Sequence, residues 1–317
     1  MRVVSAAEVH QSLDFPALIE ALAAMFKAGC EVPLRHHHGV AVPGAPDATL
    51  LLMPAWQPGA ALGIKIVSVF PGNAAKSLPA VMGQYLLLDA ATGAPRALID
   101  GTALTLRRTA AASALASRFL SRADAAHLLM VGTGALAPHL IAAHCRVRPI
   151  RRVTIWGRNP EHADTAAAKL ALPGISVTVA RELSNAVGEA DIISCATLAT
   201  EPLIKGDWLN SGQHLDLVGG FTPVMREADD TAVWRAVCDG MVYVDTRAGA
   251  MKEAGDIVQP LAREILKPEQ ITGDLFDLCR ESVPGRTDYD AISLFKSVGT
   301  ALEDLAAAKL VAERLGA

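Results

Sequence analysis

The sequence predicts an α/β chain, with a doubly wound parallel sheet and a second, discontinuous α+β domain. Three observations predict this. From about residue 119 onward, short apolar runs alternate with helical stretches, the pattern of a parallel sheet with crossover helices. Residues 30–100 are instead dense in Pro and Gly, with short apolar runs between them, as in antiparallel strands joined by turns. The final stretch, residues 291–316, reads as one long helix. Joined to the N-terminal part, it gives the expected division: residues 1–118 with 293–317, and residues 119–292.

Residues 12–29 read as an amphipathic helix. The runs LLLMPAW, LGIKIVSVF and GQYLLLDAATGAPRALID follow as strands, with the ATG at 91–93 as a hairpin turn. TLRRTAAASALASRFL is Ala-rich and of high helix propensity. HLLMVG, RRVTIWGR, ISVTVA, DIISCAT, HLDLVGG and MVYVDT then read as strands. Helices between them are expected at ALAPHLIAAHCRV, at PEHADTAAAKLA with Pro in its first turn, and near residues 225–238.

Composition excludes several classes. The 317 residues are 51% hydrophobic and 20% charged, enough apolar content for a large core. The net charge of -4 supplies no cationic field, so nucleic acid is not expected as a partner. No apolar stretch approaches the roughly 18 residues of a membrane helix, and the N-terminus does not read as a targeting peptide. The five cysteines are odd in number and form no CxxC pair. They read as reduced thiols in a cytoplasmic protein, with Cys195 as core filler. His36, His37 and His38 are adjacent, and side chains in an extended segment alternate between faces. They are therefore not expected to converge on a metal, and no metal site is expected. Contact of one of them with substrate stays open.

The sharpest local signal is VGTGALA. Gly132, Gly134 and Ala137 give the GxGxxA form of the dinucleotide fingerprint, after a strand and opening a helix. Gly132 permits the tight turn, Gly134 lets backbone approach a pyrophosphate, and Ala137 lets the helix sit close to the strand. Free N–H groups at that helix N-terminus suit phosphate. The next strand ends in Gly157, Arg158 and Asn159, with no carboxylate for ribose hydroxyls. Arg158 suits the 2′-phosphate of NADPH, which makes NADPH the expected cofactor with NADH as the other candidate.

Further motifs follow in order: Gly63-Ile64-Lys65, PGN at 71–73, DAATGAP at 89–95, IDG at 99–101 and LTLRRTAAASALA at 104–116. GTGALA, the CAT at 195–197 followed by EP, and LFKSVGTALEDLAAA at 294–308 come after them. Together, from about residue 30 to 310, they resemble the ornithine cyclodeaminase/mu-crystallin family. The resemblance implies a Rossmann domain, a second domain that forms a homodimer through its sheet, and chemistry at the alpha carbon of amino acids and their imines. It implies that Lys65, Arg108 and Arg35 hold the substrate carboxylate. It also implies that Thr197, Val218 and Ser297 line the cofactor, the last two near its nicotinamide end. The residue types suit the task, because an arginine fork matches a carboxylate.

One segment departs from the deaminases. Where they carry an aspartate shortly after Val-Gly-Gly, this chain has Phe221, which can neither take a proton nor orient water. DLVGGFTPVMREADD instead resembles the bacterial 1-pyrroline-2-carboxylate reductases of the family. The expected function is therefore NAD(P)H-dependent reduction of a cyclic imino acid, 1-pyrroline-2-carboxylate or its six-membered piperideine analogue, to L-proline or L-pipecolate, with Phe221 beside the flat ring. Lys65, a water and Asp304 are the candidate proton donors. Asp216, inside a strand, reads equally as structural or as acting through a neighbour. The competing readings are ornithine cyclodeaminase, alanine dehydrogenase and an NADPH-binding protein with little turnover.

Overall fold

A computed structural model describes residues 1–317, the side chain of Ala74 excepted. The chain forms two compact units. One comprises Met1–Arg108 with Thr300–Ala317, the other Thr109–Gly299.

The first unit is built on a six-stranded sheet. Its strands are β1 (Arg2–Val4), β2 (His36–Val40), β3 (Ala48–Gln57), β4 (Ala61–Val69), β5 (Val81–Leu88) and β6 (Pro95–Asp100). They lie in the order β1-β6-β5-β4-β3-β2, antiparallel throughout except that β1 runs parallel to β6. The turn between β5 and β6 is the expected hairpin. The Asp89 carboxylate accepts the N–H groups of Ala91 and Thr92 and the Thr92 hydroxyl, and Gly93 takes the left-handed conformation at φ +73°.

The helix expected over residues 12–29 is present from Phe15, and a separate short helix precedes it. Ala6–Ser12 is one helix and Phe15–Ala28 the next. Asp14 caps the second by accepting the Ala17 N–H at 3.0 Å, and Pro16, which lacks an N–H, fits only a first turn. Leu18, Ile19, Leu22, Met25 and Phe26 form its buried stripe at helical spacing.

The second unit carries an all-parallel eight-stranded sheet. Its strands are β7 (His127–Val131), β8 (Arg152–Trp156), β9 (Ser176–Val179), β10 (Ile192–Cys195), β11 (His214–Leu217), β12 (Val242–Val244), β13 (Gly273–Asp274) and β14 (Ser293–Lys296). Their order is β13-β12-β14-β11-β10-β7-β8-β9. The chain steps outward from β7 to β9, then returns to the other side of β7 as β10. That reversal opens a crevice at the carboxyl ends of β7 and β10, where doubly wound sheets take ligands. Cys195 is buried within β10, packed in the apolar core.

The single tail helix expected over residues 291–316 is corrected by the structure. Ser293–Lys296 is a strand between β11 and β12, and the helix, Ala301–Leu315, starts only after Gly299, which sits at φ +82°. All four residues of β14 are buried. A short, wholly buried strand shows no alternation, so its sequence does not separate it from the helical pattern that follows.

Candidate active site

In the first unit, the alternation of β4 turns Ala61, Gly63 and Lys65 to the buried side of the sheet. Lys65 pairs in register with Tyr85 of β5. A side chain at Gly63 would collide with the Tyr85 ring, since its Cβ would lie 2.3 Å from the hydroxyl. Helix Gly101–Leu120 supplies Arg108 and helix Ala301–Leu315 supplies Glu303 and Asp304.

These groups form one buried ionic cluster. Lys65 Nζ lies 2.7 Å from Asp304 Oδ2. Arg108 Nε donates to Asp304 Oδ1 at 3.0 Å, and Arg108 Nη1 to Glu303 Oε2 at 2.5 Å. Lys65 is 3% exposed and Arg108 6%, so both cations are desolvated and depend on these carboxylates. Burial pulls the Lys65 pKa down to about 8. Asp304 opposes that shift, while the positive charges of Arg108 and Arg35 reinforce it. Burial also pushes the Asp304 carboxyl up, but the attraction of Lys65 and Arg108 outweighs it and holds the group below its ordinary value.

The structure thus brings Lys65 and Arg108 together and leaves Arg35, half-buried just ahead of β2, within electrostatic reach of Lys65. Arg107 faces elsewhere: it donates to the Leu13 carbonyl and lies 3.9 Å over the Phe15 ring. His36, His37 and His38 form exposed β2, where His36 and His38 share one side with ring centroids 6.3 Å apart. The sequence reading missed that Glu303 and Asp304 jointly neutralise the cations. The signal was available as two adjacent acids inside an Ala- and Leu-rich helix.

In the second unit, Gly132 follows β7 at φ +118°, and a Cβ there would lie 2.5 Å from the Ala196 carbonyl. Only glycine fits that turn. Gly134 is different, since a Cβ on it would meet nothing within 4 Å. The protein leaves open space over this glycine, ahead of helix Ala137–Val147, whose first residue Ala137 is buried and whose N-terminus has no side-chain cap. These features fit a dinucleotide pyrophosphate. Arg158 is exposed at the end of β8. Asn159 caps the following helix, its Oδ1 accepting the Glu161 N–H at 3.0 Å.

Thr197, Val218 and Ser297 stand just past the carboxyl ends of β10, β11 and β14. Val218 and Ser297 are buried, held through Val218 N–H to the Cys195 carbonyl at 2.8 Å and Ser297 N–H to the Leu217 carbonyl at 3.1 Å. Phe221 is 51% exposed after the Gly219–Gly220 turn. Asp216 is sealed inside the unit, accepting from Ser194 Oγ at 2.7 Å with His144 Nε2 at 3.2 Å, so its contacts are structural.

Comparison with known proteins places these features in a family. The family model for the ornithine cyclodeaminase/mu-crystallin family matches residues 1–317. The chain is 39% identical to a Delta(1)-pyrroline-2-carboxylate reductase of Colwellia psychrerythraea, with 99% of each protein covered. It is 33% identical to the ketimine reductase mu-crystallin of Rattus norvegicus, covering 97% of this chain and 95% of the relative. Among solved structures, Delta(1)-pyrroline-2-carboxylate reductase of Thermococcus litoralis, in complex with NADH and L-proline, superposes with a TM-score of 0.91 at 32% identity, covering 99% of this chain and 97% of that one. An archaeal alanine dehydrogenase dimer with bound NAD gives 0.88 at 25% identity, covering 99% and 95%. The chain belongs to the ornithine cyclodeaminase/mu-crystallin family.

Proposed function

We propose that the chain is an NAD(P)H-dependent reductase of a small cyclic imino acid, converting 1-pyrroline-2-carboxylate to L-proline and accepting the six-membered analogue. The observation that carries this reading is the sealed cluster around Lys65 and Arg108. The cluster gathers a lysine and an arginine, with Arg35 in electrostatic reach, where a small carboxylate would be gripped. The likeness to a reductase solved with NADH and L-proline supports the same reading.

In this mechanism Lys65 and Arg108, with Arg35, orient the carboxylate, and Phe221 packs beside the flat ring. An ammonium has three donors, of which Asp304 engages one. Lys65 is the proton source of choice, because its pKa of about 8 lies near neutrality. Protonation of the imine nitrogen makes its carbon electrophilic. The reduced nicotinamide supplies the hydride that completes the amine. Gly132, Gly134 and Ala137 hold the pyrophosphate end, Thr197, Val218 and Ser297 the nicotinamide end, and Arg158 beside Asn159 the 2′-phosphate that makes NADPH the preferred form. Met1–Arg108 with Thr300–Ala317 act as the substrate-binding and dimerising part and Thr109–Gly299 as the dinucleotide-binding part, so the boundaries expected at 118 and 293 move to 108 and 300 because β14 belongs to the parallel sheet. Edge strand β2 offers unpaired backbone for a homodimer. Among the described residues no helix is long and apolar enough to cross a membrane. The free cysteines support assigning the protein to a reducing compartment, the cytoplasm.

The test is to follow NADPH absorbance with 1-pyrroline-2-carboxylate while assaying ammonia release from L-ornithine. Rapid NADPH oxidation without ammonia release is expected. Ammonia release without net cofactor loss would sink the proposal.

A further inference from the structure

A buried carboxylate in the second unit joins two of the loops assigned above to the cofactor. Glu227 is fully buried. Its Oε1 accepts the Thr197 N–H at 2.7 Å and the Thr197 hydroxyl at 2.8 Å, and its Oε2 accepts the Gly219 N–H at 2.8 Å. One side chain therefore ties the loop after β10 to the loop after β11. The first of those loops backs onto the fingerprint turn, because a Cβ at Gly132 would touch Ala196 and Thr197. The two loops are in close contact, since a Cβ at Gly219 would lie 2.1 Å from the Thr197 carbonyl.

The backbone that carries Glu227 is anchored in turn. Asp256 Oδ1 accepts the Glu227 and Ala228 N–H groups at 2.8 and 2.9 Å, and Asp256 Oδ2 lies 3.3 Å from Lys296 Nζ at the end of β14. Lys296 and Asp256 are both fully buried. The Lys296 ammonium reaches beneath Gly220, 3.3 Å from where a Cβ would stand.

We propose that Glu227 is a positioning residue for the dinucleotide, and that only its ionised carboxylate holds the loops carrying Thr197 and Gly219 in the binding arrangement. The claim rests on the cofactor assignment made above. The donor pattern is the reason. Both oxygens receive a backbone N–H, so a proton on either one weakens an acceptor in use. The charged and titratable groups bearing on Glu227 are Lys296 from β14, Asp256 from helix Gly255–Ala262 and Cys195 from β10. Burial, aided by the Asp256 charge, raises the Glu227 pKa to about 7 against the pull of Lys296 and the hydrogen bonds from Thr197 and Gly219. The two forms are therefore both populated near neutral pH.

If only the ionised form binds, the apparent Kd scales inversely with the ionised fraction, and affinity falls about 10-fold from pH 8 to pH 6. The probe is NAD⁺, which carries no 2′-phosphate to titrate in this range, and the measurement is calorimetry in buffers of different ionisation heat. Wild-type protein is expected to release protons on binding near pH 6.5 and to lose affinity as stated. Glu227→Gln, shown folded by circular dichroism, is expected to bind more weakly at every pH, with a flat profile and no proton release from this group. A merely structural role lowers stability without producing proton release. PH-independent wild-type affinity without proton release overturns the proposal, and so does a Glu227→Gln protein that keeps the wild-type profile. Failure of folded wild-type protein to bind any of NAD⁺, NADH and NADPH at any pH overturns the cofactor assignment itself. Should Glu227→Gln not fold, Thr197→Val removes the hydroxyl that donates to Glu227 and is expected to move the proton release to higher pH, and an unmoved release would assign it to another group and overturn the proposal.

Discussion

Lys65 Nζ and Asp304 Oδ2 lie 2.7 Å apart, with their side chains 4% and 0% exposed. The pair joins a strand near the chain's start to a helix at its end. Removing one member strands the other charge away from water. Asp304→Ala is therefore expected to cost about 3–5 kcal/mol, the usual penalty for breaking a buried pair. Urea unfolding measures it, and a loss below about 1 kcal/mol would show that the cluster is more hydrated than the geometry implies.

Lys65→Met keeps the length of the stem and removes the ammonium. A hydrogen bond to a charged group contributes about 1.5–3 kcal/mol. The loss expected in kcat/KM for the imino acid is thus at least about 10-fold, with NADPH affinity unchanged. Steady-state rates and a separate cofactor titration check both halves.

The pH dependence follows from the Lys65 pKa of about 8, against an ordinary 10.5. Between these values the unfolded chain binds more protons than the folded one at this site, so this group's contribution to stability rises with pH across that window. Activity goes the other way, because deprotonated Lys65 neither grips a carboxylate nor donates a proton. kcat/KM is expected to fall above about pH 8 without unfolding from this group. Lys65→Arg should move that limb upward. An unmoved limb would assign it elsewhere.

The glycines of the second unit separate structure from binding. Gly219→Ala drives a Cβ onto Thr197 backbone, and overpacking of this kind costs about 1–3 kcal/mol. Gly134→Ala meets nothing within 4 Å. It is expected to leave the melting temperature unchanged while weakening cofactor binding, since the new methyl occupies the approach to the pyrophosphate. Thermal melts beside dinucleotide titrations distinguish the two.

Arg158→Ala is expected to raise the Kd for NADPH by about 10-fold or more and to leave NADH nearly untouched, as loss of one charge-assisted contact predicts. Equal weakening of both cofactors would remove the 2′-phosphate from this position.

The sheet of the second unit was legible because apolar strands and helices alternate, and because VGTGALA marks the turn after β7. Lys65 and Arg108 were legible through motif order. Their partners were not. Glu303 and Asp304 lie in a helix whose propensity says nothing about what it faces, and Glu227 sits in irregular chain between β11 and helix Asp230–Cys238. Such pairings are made by tertiary packing between residues far apart in sequence, which local period does not encode. Strand β14 escaped for the opposite reason, because a strong helical pattern follows a run of only four residues.

The place of β14 has a consequence for synthesis. It is the last strand of its sheet to leave the ribosome, yet it belongs in the middle, flanked by β11 and β12. Until Lys296 has emerged, those two strands have no partner on the facing side, and each exposes a row of backbone groups. The nascent second unit therefore waits as two fragments with open edges, a state prone to wrong pairing. A stop codon ahead of residue 293 would leave a hole in the centre of the sheet, and such products should be cleared by proteolysis or found in inclusion bodies.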